Sequence, residues 1–264
     1  MASRLHKGQY SGKITEQKTA DGLLVGITSY SADGCNPDFH CHENPHLILL
    51  LNGGNVYNSR RKSTEKIAGD MLFYHSGEIH QTLPGTILSK CINLEVEQTF
   101  LSENHVSEQA LQQAANAGFN SKVLVLKMYK ELLANDALTN PSIQLLFLDL
   151  LANAQKEITT KPTWLIHVQA LLHDEWDTVP SLDTLSQVAG VHPVTISKYF
   201  TKYMGCTLGE YLRKIKVEKS MDLIRGAQDS LTEVSAKCGF ADQSHFIRNF
   251  KMYTGMLPKE FQAL

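Results

Sequence analysis

From residue 23 to about 100 the apolar positions come in short runs, LLVGITSY, HLILLLNGGNVYN, GDMLFYHSGEIHQT and TILSKCINLEVE, broken by glycine, asparagine, aspartate and proline. Runs of that length between turn residues predict the strands of a β-barrel or sandwich. Beyond residue 100 the period lengthens. In SKVLVLKMYKELLAN (121–135) Val125, Met128 and Leu132 recur at helical spacing, and Pro141 opens a second segment, PSIQLLFLDLLANAQKEI, as an N1 proline can. Leu145, Leu146, Phe147, Leu148, Leu150 and Leu151 make this second helix apolar almost all round, so one face is not enough to bury it. It is expected either between two domains or at a homodimer seam formed by helices 121–158. EITTKPT (157–163) reads as the junction.

Everything after the junction reads as helix. PTWLIHVQALLHDEW starts at Pro162, SLDTLSQVAG starts with Ser181 as an N-cap, and TLGEYLRKIKVEKSMDLIRG runs from Thr207 to a stop at Gly226. One unit is written twice. YFTKYMGCTLGEYL (199–212) returns as NFKMYTGMLPKEFQ (249–262), with Phe200 on Phe250, Tyr203 on Tyr253, Gly205 on Gly255, Glu210 on Glu260 and Tyr211 on Phe261.

Each copy is preceded by a short helix and a glycine-centred turn. In the first, Leu182, Leu185, Val188 and Ala189 mark an apolar face, AGVHP makes the turn, and Ile196, Tyr199 and Phe200 point inward. In the second, Leu231, Val234 and Ser235 lead through KCGFADQ to Phe246 and Phe250. Two helices joined by such a turn form a helix-turn-helix, whose second helix can lie in a DNA major groove. The outward positions are then the candidate DNA contacts: Val194, Thr195, Lys198 and Lys202 in one unit, Gln243, Ser244, His245, Arg248 and Lys251 in the other. Arginine and lysine can donate to guanine, glutamine can pair with adenine, and valine or threonine methyls can meet thymine. The same residue types also occur on helix faces that only meet solvent. Duplication favours the DNA reading, since two such helices at a fixed separation could enter groove segments roughly 34 Å apart on one side of a duplex.

Charge sharpens this picture. The chain has a net charge of −2, but residues 1–159 hold 13 Lys/Arg against 16 Asp/Glu, whereas 181–264 hold 11 against 8. The basic third is the one with the repeat, as a phosphate-contacting surface requires. Five scattered cysteines without a CxxC pair suit reduced thiols, and neither an apolar leader nor a membrane-length apolar run is present, so a cytoplasmic protein with no membrane partner is expected.

Residues 181–262 resemble the DNA-binding domain of the AraC/XylS family of transcription regulators. SLDTLSQVAGVHPVTISKYFTKYMG, the linker YLRKIKVEKSMDLI and SLTEVSAKCGFADQSHFIRNFKMYTGMLPKEF all fall in family order and spacing. The chain departs from the usual pattern at Ser186 and Ser235 (commonly alanine), Leu208 (often proline), Lys216 (frequently arginine) and His192 (usually a capping serine). The resemblance implies two helix-turn-helix units joined by a long helix and a transcription activator on double-stranded promoter DNA. The residues themselves do not write the sense of regulation.

A second constellation lies in GCNPDFHCHENPHLILLLNGG and GDMLFYHSGEIHQTLP. Gly34, His40, His42, His46 and Gly53, then Gly69, Gly77 and His80, keep the spacing of the two cupin motifs, which they resemble. His46 replaces the usual glutamate, His75 a proline and Pro84 an asparagine. Strand alternation sends His40 and His42 to one face, inward in a barrel strand. Imidazoles converging there could hold Zn, Ni, Cu or Fe. Alternatively, His40, His42, His46 and His80 bind a sugar or other small-molecule effector without metal; the resemblance implies that many such sensor domains have lost theirs.

The expectation is therefore an α+β protein of two domains. Residues 1–159 form a cupin-like β-barrel followed by linker or dimerisation helices, and 160–264 an all-α DNA-binding domain. The function expected is a ligand-responsive transcription regulator, not an enzyme. The alternative is a metal-dependent cupin enzyme, an oxygenase or isomerase, with a helical appendage, which leaves the repeat unexplained.

Overall fold

The computed structural model describes residues 2–31, 33–59, 62–86, 88–156, 161–225 and 229–263, with backbone only for 153–156. The chain divides into two compact units, Met1–Glu157 and Ile158–Ala263. Most of the predicted junction (157–160) and the helix stop at Gly226 lie outside the described residues.

Among the described residues the first unit holds ten strands: β1 (Ser3–Leu5), β2 (Lys13–Ala20), β3 (Leu23–Ser31), β4 (His40–His42), β5 (His46–Asn52), β6 (Gly54–Ser59), β7 (Ser63–Ile67), β8 (Met71–Tyr74), β9 (His80–Pro84) and β10 (Leu88–Val96). They form two five-stranded sheets, ordered β1-β4-β9-β6-β7 and β2-β3-β10-β5-β8. This corrects the expected barrel. Among the described residues the strands pair as two sheets, not as one closed ring, and the sheets meet face to face through Tyr57 of one and Tyr30, Ile48, Leu50, Tyr74 and Cys91 of the other. Strands β1 and β2 escape the hydropathy pattern because β2, KITEQKTA, is an exposed edge strand with almost no apolar face.

Behind the second sheet stand α1 (Gln98–Glu103), α2 (Glu108–Asn116), α3 (Phe119–Ala134) and α4 (Thr139–Lys156). Helix α4 starts two residues before Pro141, so the proline sits inside the first turn, where an amide donor is still dispensable. Ile143, Phe147 and Leu150 are buried while Leu138, Leu145 and Leu148 are exposed, so one apolar stripe of α4 and its preceding turn is left uncovered.

The second unit is all helix: α5 (Thr163–Asp174), α6 (Leu182–Ala189), α7 (Pro193–Met204), α8 (Leu208–Arg225), α9 (Leu231–Lys237), α10 (Gln243–Thr254) and α11 (Pro258–Gln262). The structure explains the repeat position by position. Phe200 and Phe250 are both buried, and Gly205 and Gly255 both end their helices at positive φ, +67° and +77°. Glu210 accepts the Thr207 amide and Glu260 accepts the Leu257 amide, each at 2.7 Å, so both glutamates cap the next helix. His192, unusual at its position, still caps α7: its Nδ1 accepts the Val194 amide. Three inward expectations fail. Leu182, Val188 and Tyr199 are exposed, because Leu185, Ala189, Ile196 and Phe200 already fill the space between the helices.

The long helix α8 also anchors the second turn. Lys216, 5% exposed, donates from Nζ to the Gly239 carbonyl at 2.9 Å, and burial lowers its pKa. Gly239 has φ +63°, and a Cβ there would stand 2.6 Å from the Asp177 carbonyl oxygen. Replacing Gly239 with alanine should therefore destabilise this unit by about 1–3 kcal/mol. Both tryptophans, Trp164 and Trp176, lie in this unit, so urea unfolding followed by tryptophan fluorescence measures it directly; an unchanged midpoint would show that the close approach is not needed.

Candidate functional site

Strand β4 pairs with β9 so that His40 faces His80, and β5 of the opposite sheet brings His46 beneath them. Cys41 alternates to the other face of β4 and lines an outer cleft of about 490 Å³ with Arg4, Glu43, Ser76, Gly77, Gln98 and Glu108. The acids of that cleft are already engaged. Glu43 accepts from the Lys7 amide and contacts the His6 ring, and Glu108 accepts from Ser76 and Gln98 and contacts the His75 ring. His75 thus engages an acid of the cleft, Glu108, and stands apart from the imidazole cluster.

Inside, His40, His42 and His80 are buried, each offering a ring nitrogen within 4.8 Å of the other two. His46, also buried, has its ring centre 4.2 Å from that of His42 and 6.0 Å from that of His80, but stands outside that trio. His40 Nδ1 lies 2.9 Å from the Asp38 carbonyl and His80 Nδ1 lies 3.0 Å from the Glu78 carbonyl. A carbonyl only accepts, so these contacts place the protons on Nδ1 and leave the lone pair of each ring on Nε2.

Burial holds all four imidazoles toward the neutral form. It lowers His40 against the opposing pull of the Asp38 carbonyl, and it lowers His42 strongly with help from His46, His80 and His40. His46 is held well below its ordinary value by burial and then by His80 and His40, and His80 is lowered to about 3 by burial and then by His40. Neutral imidazoles with free lone pairs fit a metal chemically, and the Nδ1 contacts to carbonyls are the outer support such ligands require. Nitrogens around a tetrahedral ion sit roughly 3.3 Å apart, so the trio would have to draw in.

Three further residues complete this interior and were missed in the sequence. Tyr74 stacks on His80 with ring centres 3.6 Å apart. Tyr10, from the segment between β1 and β2, places its ring 5.7 Å from His42 and 6.2 Å from His46. Its hydroxyl donates to Glu95, whose carboxylate also accepts from the Gly8 amide and Asn44 Nδ2. Burial, and then Glu95, raise the Tyr10 pKa well above its ordinary value. A signal for Glu95 existed: in CINLEV it shares the inward alternation of Cys91 and Asn93.

In the second unit the candidate DNA contacts divide by exposure. Val194, Lys198, Lys202, Gln243, Ser244, Arg248 and Lys251 are exposed, while Thr195 and His245 are half-buried. The His245 ring packs edge-on against Phe240, 5.6 Å between centres, and its amide is taken by the capping Asp242. Lys198 Nζ lies 5.5 Å from the centre of the Tyr199 ring. Helix α7 thus presents Val194, Tyr199 and Tyr203 beside its lysines, whereas α10 presents Gln243 and Arg248.

Residues 185–263 match the family model described as a helix-turn-helix domain. Along 254 residues, 94% of this chain and 83% of the relative, the chain is 24% identical to the HTH-type transcriptional activator RhaS of Escherichia fergusonii. The C-terminal unit is an AraC-type helix-turn-helix domain. Among solved structures, the chain is similar to a transcriptional regulator with an AraC-type DNA-binding domain from Chromobacterium violaceum (20% identity, 38% of this chain and 89% of that one, TM-score 0.36). It is also similar to ToxT of Vibrio cholerae with bound unsaturated fatty acid (12% identity, 94% and 96% covered, TM-score 0.37). Among the described residues no helix is long and apolar enough to cross a membrane, and all five cysteines are free thiols.

The imidazole cluster makes the first unit acid-sensitive. Because the folded pKa of His80 lies below that of an exposed histidine, protons bind the unfolded chain preferentially between about 3 and about 6.5. Its stabilisation is complete above that window and is lost as pH falls through it, roughly 2 kcal/mol from His80 alone at pH 5. Calorimetry at pH 7.5 and 5 should show the midpoint of the transition not reported by tryptophan falling; a midpoint independent of pH would mean the imidazoles are not held neutral.

Proposed function

We propose that the chain is an effector-responsive transcription regulator and not an enzyme. Its N-terminal unit takes a small effector at the imidazole cluster, and its C-terminal unit binds double-stranded promoter DNA through α7 and α10. The observation that carries this reading is the duplicated helix-turn-helix, with Lys198 and Arg248 turned to solvent at matching places, in a unit with an excess of positive charge. The resemblance to RhaS along most of both chains supports it. An effector changes DNA binding only if it favours one state of the protein over another.

We take the uncovered stripe of Leu138, Leu145 and Leu148 as the surface on which two copies pair through α3 and α4. Substituting glutamate at Leu145 and Leu148 together should leave the fold intact and shift sedimentation to the monomer; a wild-type chain that is already monomeric at working concentrations refutes the pairing.

A labelled fragment of the chain's own upstream region should bind with a steep inverse dependence on salt, measured by fluorescence anisotropy. Arg248→Ala should cost about 1–3 kcal/mol of binding and relax the preference at one base position. A loss uniform over all sequences would make Arg248 a phosphate contact, and no binding at any salt concentration would remove the regulator reading.

A further inference from the structure

The outer cleft beside Cys41 holds hydrogen-bonding capacity that the protein itself leaves unused. Its floor follows from strand register: β1 runs parallel to β4 with Arg4 opposite Cys41, and both side chains reach the cleft while His40 and His42 go inward. Facing them are Ser76 and Gly77 in the turn after β8, Gln98 of α1 and Glu108 of α2. Glu108 is fully occupied. One oxygen accepts from Ser76 Oγ at 2.6 Å and Gln98 Nε2 at 2.8 Å, the other from the Ser76 amide at 3.3 Å and His75 Nδ1 at 2.7 Å, which fills its roughly four lone-pair sites. Glu43 has only two such donors, the Lys7 amide at 2.6 Å and His6 Nδ1 at 2.7 Å. Gln98 uses its Nε2 on Glu108 and keeps its side-chain carbonyl open. Arg4 is exposed, and its guanidinium makes no hydrogen bond or ion pair among the described residues.

Arg4 stands near enough to act on Glu43 but does not pair with it. The Glu43 carboxyl is held below its ordinary range by the His6 ring and the Lys7 amide, and then by Arg4. A guanidinium and a carboxylate on one cleft of about 490 Å³, each with unused sites and not joined to each other, complement a ligand that carries both charges. An anion alone would meet Glu43 and Glu108, and a cation alone would meet Arg4, so either meets a like charge. We infer that this cleft is a second small-molecule site, separate from the imidazole cluster, and that it takes a free α-amino acid with a polar side chain. The carboxylate lies on the Arg4 fork, and the ammonium on Glu43 and the Gln98 carbonyl. A planar fork matches a carboxylate through two parallel bonds, and an ammonium needs acceptors only. The lining decides the side-chain class. Ser76, Gly77, Gln98 and Glu108 offer no apolar wall, so an aliphatic or aromatic side chain gains nothing there, whereas an amide or hydroxyl finds hydrogen-bonding partners. The ligand would touch the outer face of the strand whose inner face carries His40 and His42, and the site stands whether or not the regulator reading holds.

The test titrates the full chain by calorimetry with L-glutamine, L-asparagine and L-serine, and compares the tightest of them with L-leucine and with two derivatives of itself. The α-amide lacks the carboxylate, and the N-acetyl derivative lacks the ammonium. One polar amino acid per chain should bind with a Kd of about 1 mM or tighter, and leucine and both derivatives at least tenfold more weakly. The bound amino acid should also slow alkylation of the half-buried Cys41 by iodoacetamide, read by peptide mass spectrometry, and leave Cys206 in the other unit unaffected. Arg4→Ala should weaken binding at least tenfold and bring the amino acid level with its α-amide, while Glu103→Gln, at an exposed helical position outside the cleft, changes nothing. Should Arg4→Ala fail to fold, the two derivatives make the same comparison on the wild type. Binding of none of the three polar amino acids overturns the site. Leucine binding as tightly overturns the polar class, and either derivative binding as tightly overturns recognition of both charges. Binding that leaves the alkylation of Cys41 unchanged overturns the cleft as its location.

Discussion

Side-chain period is the constraint on which both halves of this protein depend. A strand sends alternate residues to opposite faces, so the two-residue spacing of His40 and His42 commits both rings to the interior, and Cys41 between them to the outer cleft. A helix turns through 3.6 residues. Phe246 and Phe250 therefore go into the core while Gln243, Ser244 and Arg248 stay in water. The same geometric rule builds a dry, uncharged set of bases in one unit and a wet, charged surface in the other. Each arrangement suits its proposed partner: a small ligand gains from the exclusion of water, and a phosphate backbone needs cations it can reach.

Much of this was legible because it is periodic or duplicated. The repeat located matching helices in the second unit and aligned Glu210 with Glu260, and the structure adds that each does the same hydrogen-bonding work at the start of its helix. What stayed hidden depends on contacts distant in sequence. Tyr10 meets His42 only because β1 runs parallel to β4 and the following segment folds back over the cluster. Leu182, Val188 and Tyr199 looked inward by residue type, yet exposed apolar side chains are ordinary on protein surfaces, and hydropathy alone could not tell which leucines of α6 the core had room for. The separation into two sheets was equally invisible, because strand number and spacing suit a barrel and a sandwich alike.

The second unit shows how a departure from a family pattern can be absorbed. Lys216 replaces a frequent arginine, but its ammonium still reaches the Gly239 carbonyl, one point contact where a planar fork would offer several. The backbone of Gly239 then lies so near the Asp177 carbonyl that any side chain would collide. One lysine and one glycine thereby tie the linker helix, the second helix-turn-helix and the approach to the first into one packing unit. Such a tie matters more for DNA recognition than its energy suggests, because two recognition helices can use successive grooves only if their spacing is held fixed.

Regulation requires a difference in binding between two states, and the imidazole cluster is well suited to supply one. A tenfold change in DNA affinity corresponds to about 1.4 kcal/mol of coupling. If a ligand drew His40, His42 and His80 together, three ring nitrogens that stand within 4.8 Å of one another on two different strands would have to move in concert. That movement would press on Tyr10 and Tyr74, which pack directly against the rings, and through Tyr10 on the segment whose Gly8 amide is held by Glu95. Because interiors are close-packed, a shift of this size does not dissipate locally but is passed to whatever the displaced side chains touch. A buried site lined by rigid rings is thus a stronger source of conformational difference than an open cleft such as the one beside Cys41, whose charged groups can follow a ligand without moving the backbone.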